Sequence, residues 1–233
     1  MINFDVLTLF PQLFTEHLNT LPFKKAVEKN SAKYKLWNLR DFSVNSYGSV
    51  DDETYGGGIG MVLMVEPIYN ALVEIYGKAV MEKQITDGDK KSLPEGHRIV
   101  VLSPRGETYT QEKARELSKC TQITLICGRY EGIDARIEEN VATDVISMGD
   151  YIVSGGEIPA LALMESVTRL LPGILEKENA SKIESYSEEN KVEYPQYTRP
   201  EKFMGLKVPE VLLNGNHKEI EKWRQDNSVK KAS

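Results

Sequence analysis

The chain has 233 residues, 40% of them hydrophobic, and a formal net charge of −6. That length suffices for one large domain or two modest ones, and the charge excludes a global basic field for nucleic acid while leaving room for a local basic patch. Cys120 and Cys127, with no companion Cys/His cluster, fit neither a disulfide framework nor a zinc site, and a reducing cytoplasm is the expected compartment.

Asp5 interrupts the first apolar residues, so no signal peptide is read there, and no apolar run reaches the length of a membrane span. Residues 2–9, INFDVLTL, read as a strand, and FPQLF opens a helix. Residues 97–104, HRIVVLSP, read as a strand ended by Ser103-Pro104. In TYTQEKARELSK, Thr110 is the expected N-cap, with Glu112 in the first turn. Residues 122–130 give another buried strand, and 144–153 a third that runs into SGGE. EIPALALMESVTRLL (157–171) reads as a mostly apolar helix whose Glu165, Ser166 and Arg169 share a face. Strands alternating with helices predict an α/β domain on a mainly parallel sheet, placed at residues 1–173.

Residues 174–194 carry six acidic against three basic residues, the composition of a flexible linker. Residues 195–233 are expected to form a small helical C-terminal domain from VPEVLL and NGNHKEIEKWRQ, with Asn216 and Glu219 as a capping box. This segment holds eight Lys/Arg against five Asp/Glu, and residues 22–40 hold six against one. These are the two basic stretches of an acidic protein; charge alone leaves each open as a solvated face or a binding patch.

Glycines gather in YGGGIGM (55–61), CGRYEG (127–132) and MGDYIVSGGE (148–157). Ligands of open α/β sheets bind beyond the carboxyl ends of strands, and glycine lets a ligand approach the main chain. One such loop reads as a turn; three together predict a backbone-lined pocket. GxGxxG, GxxxxGK[ST], GxSxG and HExxH are all absent, which argues against a Rossmann dinucleotide site, a P-loop, a serine hydrolase and a zinc protease. His17, His97 and His217 are scattered and read as structural or surface groups, and Asp51-Asp52 is a weak metal pair.

The stretches DVLTLFPQLF, DDETYGGGIGMVLMVEP, LSPRGETYTQEKARELSK, ICGRYEGIDARI, GDYIVSGGEIPALALMESVTRLLPGIL, EYPQYTRP and VPEVLLNGNHKEIEKWR follow one another through nearly the whole chain. With them the chain resembles the bacterial tRNA (guanine-N1-)-methyltransferase (TrmD) family of the SPOUT class; residues 80–95 and the linker lie outside the likeness. The resemblance implies a trefoil-knotted α/β domain holding S-adenosylmethionine in a bent shape, a cytoplasmic homodimer with its active site at the subunit interface, and assistance from Mg2+. It implies methylation of N1 of guanosine 37 of a tRNA in which another guanosine stands at position 36.

Carried over position by position, the cofactor residues are Leu102, Ser103, Pro104, Gly128, Tyr130, Glu131, Met148, Gly149, Asp150, Tyr151, Ile152, Val153, Gly155, Gly156 and Pro159. Tyr55, Gly57, Gly58, Arg199, Asn216 and His217 face substrate. Arg169, in SVTRLLPG, is the catalytic arginine, against the alternative of a salt bridge with Glu165. Glu184 falls where the family usually has Asp, so ESY replaces a DSF-like motif; Glu188 and Glu189 compete for that role. Gly155 and Gly156 also fit a tight strand-to-helix turn, Arg129 and Glu131 a structural ion pair, and Trp223 either a stacking surface or a small core. Two rivals remain: an α/β enzyme of another nucleotide, and a non-catalytic RNA-binding module.

Overall fold

Alternate residues of the first strand, β1 (Ile2–Thr8), enter two different cores: Phe4 and Val6 pack on one side, Leu7 on the other. A strand buried on both faces belongs to a parallel sheet covered by helices, and that is the architecture. A computed structural model of the chain describes residues 1–86, 92–175, 185–186 and 191–230, in two compact units, Met1–Ile174 and Leu175–Ser233.

In the first unit β1 is followed by α1 (Gln12–Leu18), α2 (Phe23–Glu28), β2 (Ala32–Asn38), the short β3 (Asp51–Glu53) and β4 (Met61–Leu63), α3 (Val65–Tyr76) and α4 (Lys78–Thr86). Then come β5 (His97–Thr108), α5 (Gln111–Leu117), β6 (Gln122–Cys127), α6 (Ala135–Asn140), β7 (Asp144–Ser147) and α7 (Glu157–Thr168). The main sheet runs β2-β1-β6-β5-β7 with every pairing parallel. Val100, Leu102, Ile123 and Leu125 join Phe14, Phe23, Leu117 and Met164 on one face; Ile99, Val101 and Ile126 join Ile68, Leu72, Met81 and Ile137 on the other. Each fully buried Phe or Leu contributes roughly 1.5–3 kcal/mol of transfer free energy.

α7 is apolar almost all round: Ala160, Leu161, Leu163, Met164 and Val167 pack into the core, while Ile158, Ala162 and Glu165 are exposed. Its few polar groups are matched to hydroxyls: Thr168 to Tyr34 at 2.8 Å, Ser166 to Tyr109 at 2.6 Å, and Glu157 to Thr8 at 2.8 Å. Thr110 caps α5 as expected, accepting from the Lys113 amide at 3.3 Å.

Two strand ends differ from the sequence reading. β5 does not stop at Ser103-Pro104: it pairs with β7 up to Leu102↔Ile146, leaves the ladder, and rejoins it at Glu107↔Ile146. β7 ends at Ser147 rather than 153, because Gly149, at φ +135°, turns the chain away. The apolar 151–153 run is therefore loop, not strand. Missing from the sequence reading are α2, β2, β3, β4, α3, α4 and α6; in β2 the alternation of lysines with apolar residues weakens the strand signal.

Asp5 is a carboxylate within the sheet, 8% exposed, receiving Trp37 Nε1 at 2.7 Å and Gln122 Nε2 at 3.1 Å. Burial outweighs these donors and nearby Lys35 and raises its pKa above the ordinary aspartate value. The folded state thus binds the proton more tightly than the unfolded chain, and stability falls as pH rises from about 3.9 through the raised value. Asp5→Asn removes that penalty while keeping an acceptor for Trp37. Chemical denaturation should find the variant more stable than wild type at pH 7–8 and level with it below pH 4; a loss of stability at pH 8 would contradict the sign.

The second unit pairs β8 (Lys191–Val192) with β11 (Val229–Lys230), forms a small hairpin from β9 (Lys202–Phe203) and β10 (Leu206–Lys207), and among the described residues has one α-helix, α8 (His217–Asn227). VPEVLL makes only a 3-10 turn at Glu210–Leu212. Asn216 caps α8, accepting from the Lys218 amide at 3.2 Å, but Glu219 reaches Asn214 Nδ2 at 2.8 Å instead of returning to the cap amide, so the capping box is half made. Trp223 meets Tyr194 and Tyr197 edge-on with centroids 6.1 and 6.2 Å away, which makes it part of this unit's aromatic core.

Candidate active site

β6, β5 and β7 are neighbours in a parallel sheet, so the loops leaving their carboxyl ends open on the same edge. Residues 102–105, 128–133 and 146–156, with Pro159 of α7, enclose a cavity of about 520 Å³. Of the fifteen residues assigned above to the cofactor, all but Asp150 line it. Leu102, Ile133, Ile146, Ile152, Val153 and Pro159 give it apolar walls; Gly128, Gly132, Gly149, Gly155 and Gly156 add bare backbone, and Arg105, Arg129, Glu131 and Glu138 add charge.

The cavity rests on close backbone contacts. Gly156 donates its amide to the Gly128 carbonyl at 2.9 Å, and a Cβ there would meet Cys127 Cα at 2.7 Å and Gly128 N at 2.9 Å. Gly155 and Gly156 therefore do not form a tight strand-to-helix turn, since the 148–156 loop separates β7 from α7; Gly156 instead lets the start of α7 press on the end of β6. Tyr130 sits at φ +60°, and Ser147 Oγ accepts from the Gly149 amide at 3.2 Å, which fixes the start of the 148–156 loop.

Beneath that loop lies a network that sequence reasoning weighed only at Arg129. Glu157, 1% exposed, accepts from Thr8 Oγ1 and from Arg129 Nε, both at 2.8 Å. Arg129 also reaches the Ser154 carbonyl at 3.3 Å and lies 4.5 Å over the Phe10 ring. The ion-pair alternative for Arg129 is the one made, with Glu157 rather than Glu131 as its partner. The missed signal was an acid opening an otherwise apolar helix, a position that needs a buried partner. Fully buried Cys127 stays a thiol, since burial and then the Glu157 carboxylate push its pKa up. Arg105 and Glu138, also unforeseen, pair across the rim at 3.7 Å.

Other foreseen residues lie elsewhere. Arg169, half-buried, is the residue on which α7 ends and does not line the cavity. Tyr55 is fully exposed on the β3–β4 turn with Gly57 and Gly58, and that hairpin docks on the CGRYEG loop through Glu131 N to the Met61 carbonyl at 3.0 Å. Arg199, Asn216 and His217 are exposed in the second unit. Glu184, Glu188 and Glu189 lie outside the described residues. No histidine lines the cavity.

An open parallel sheet whose adjacent strands end in a glycine-lined cavity, without a phosphate-loop motif, defines an α/β protein whose candidate ligand site lies at the carboxyl edge of the sheet. The family model described as tRNA (Guanine-1)-methyltransferase TrmD matches residues 2–233, and the chain belongs to that family. A tRNA (guanine-N(1)-)-methyltransferase of Anoxybacillus flavithermus is 47% identical, over 98% of this chain and 87% of its own. That of Bacillus subtilis is 44% identical, over 98% and 88%. The crystal structure of a tRNA (m1G37) methyltransferase from Aquifex aeolicus superposes with a TM-score of 0.73 at 40% identity, covering 95% of this chain and 87% of that one.

Proposed function

We propose that this chain transfers a methyl group from S-adenosylmethionine to N1 of guanosine 37 in tRNAs with guanosine at 36. The observation that carries the reading is the cavity at the ends of β6, β5 and β7. Its volume suits a nucleoside-sized ligand; its main-chain groups can read adenine edges, its apolar walls can flank the ring, and Glu131 offers negative charge to a cationic ligand. The cofactor, when bound, supplies the methyl group as a sulfonium.

Guanine N1 carries a proton that must leave, and its loss pushes charge toward O6. The chain therefore needs a base and a cationic donor. Glu184 takes the proton and Arg169 stabilises O6. Ten residues of helix, about 15 Å at 1.5 Å each, separate Pro159 at the cavity from Arg169, farther than one side chain spans. That separation fits what the family likeness implies, a homodimer in which Arg169 serves the cavity of a second copy. Arg199, Asn216 and His217 contact the tRNA, with Tyr55, Gly57 and Gly58 beside the target base. Among the described residues no group of three His, Cys, Asp or Glu is placed to hold a metal, so no step is routed through Mg2+. No described helix is long and apolar enough to cross a membrane, and the enzyme is assigned to the cytoplasm with its tRNA.

Labelled S-adenosylmethionine with a transcript carrying guanosines at 36 and 37, beside one with adenosine at 37, tests the reading. Label as 1-methylguanosine in the first alone supports it; absence of cofactor binding overturns it. Arg169→Ala should bind cofactor normally and lose about a hundredfold in transfer rate, roughly 2.7 kcal/mol. Mixing it with a cofactor-site variant would restore partial activity if the arginine acts across subunits.

A further inference from the structure

The cavity described above sits at the carboxyl ends of the strands. At their amino ends, around the β2 edge, is a larger groove of about 750 Å³ that the proposed chemistry does not use. Lys24 of α2 and Lys33 and Lys35 of β2 line it, joined by the side-chain amides of Asn3, Asn19 and Gln122. All three lysines are exposed, and among the described residues none of them has an ion-pair partner. Two acids line the groove as well, Asp5 and Glu28; Asp5 already accepts from Trp37 and Gln122, at 2.7 and 3.1 Å.

Three of the six basic residues in the stretch 22–40 thus line one groove. A chain of net charge −6 that gathers three exposed lysines, against two acids, around one groove has a local surface for a polyanion. Amide and lysine donors in a shallow groove match phosphate oxygens and sugar hydroxyls, which position an RNA without reading its sequence. Trp37, with Lys35 Nζ 3.4 Å from its ring centroid, adds a cation–aromatic pair at the same edge. The groove reaches Gln122 at the start of β6, and the cavity opens just past Cys127 at its end; the 6 residues of β6, at ~3.3 Å each, put the two roughly 20 Å apart along the strands. A ligand touching both is a folded polynucleotide, not a nucleotide.

We infer that the Lys24–Lys33–Lys35 groove is a second docking surface for the phosphate backbone of the tRNA, away from the base being methylated. The inference rests on the tRNA reading above. Lysines on an edge strand also guard against strand-to-strand aggregation, so the test keeps a charge at each position. Lys24→Glu/Lys33→Glu should keep its thermal midpoint and its calorimetric affinity for S-adenosylmethionine. Its dissociation constant for a full-length tRNA transcript should rise at least tenfold. The slope of log binding constant against log salt should shrink by about 1.5, near 0.7–0.9 per lost phosphate contact. Unchanged tRNA affinity and slope in the variant, with wild type binding tRNA, would remove this surface and leave the proposed function standing. Failure of wild type to bind tRNA would remove both.

Discussion

Glu157→Ala should unfold at markedly lower denaturant than wild type, with a stability loss of about 3–5 kcal/mol, the range for removing one partner of a buried ion pair. The substitution strips the acceptor from Arg129 Nε and from Thr8 Oγ1, each 2.8 Å from the carboxylate. The Arg129 side chain keeps 21% exposure, so water relieves part of the orphaned charge and the lower end of the range applies. The pocket feels the change as well: Arg129 holds the Ser154 carbonyl, and the 148–156 loop loses that tether. Glu157→Gln should cost much less, about 1 kcal/mol, because its carbonyl can still accept from Arg129 while its amide donates to the Thr8 hydroxyl. Replacing both partners, Arg129→Met with Glu157→Met, should recover most of the lost stability. An alanine variant within 1 kcal/mol of wild type would show that the network carries no load.

The parallel α/β domain was legible because its strands are buried on both faces: the apolar residues of RIVVL, of LIC in QITLIC and of VL in INFDVLTL are consecutive, and burial into two cores on opposite faces accounts for that. β2 escaped notice because an edge strand alternates, and Lys33 and Lys35 read as surface. Most of the cavity was legible from glycine placement and the family likeness. Glu157 and Thr8 were not, because their meeting joins residues 149 positions apart. Nothing in hydrophobic spacing encodes threading, so the knotted path rests on the resemblance. What the sheet does display is the unusual course of β5, two of whose residues, Leu102 and Glu107, pair with the same Ile146.

That course makes Gly106→Ala the second change with a large expected effect. Gly106 crosses β7 so closely that a Cβ would collide with the backbone of Val145 and Ile146. A clash with a side-chain tip can be relieved by a rotamer change; a clash with a neighbouring strand cannot. Retreat is blocked on both sides. Leu102 and Glu107 are both registered to Ile146, and beyond them Lys113 Nζ clamps Glu107 at 2.6 Å and Asp144 at 3.3 Å. Overpacking here should cost about 3 kcal/mol, which for a unit of this size lowers the thermal midpoint by roughly 6–12 °C. The cavity should open along the same line, since Ser103, Pro104 and Arg105 form one wall and Ile146, Ser147 and Met148 the facing one. Calorimetric cofactor affinity should therefore fall at least tenfold even well below the midpoint. Gly57→Ala is the contrast: nothing lies within 4 Å of its Cβ position, but its φ of +79° strains an L residue, so about 1 kcal/mol is expected, with cofactor affinity kept. Equal losses in the two variants would mean that backbone conformation, not the crossing of β5 over β7, is what the glycine at 106 protects.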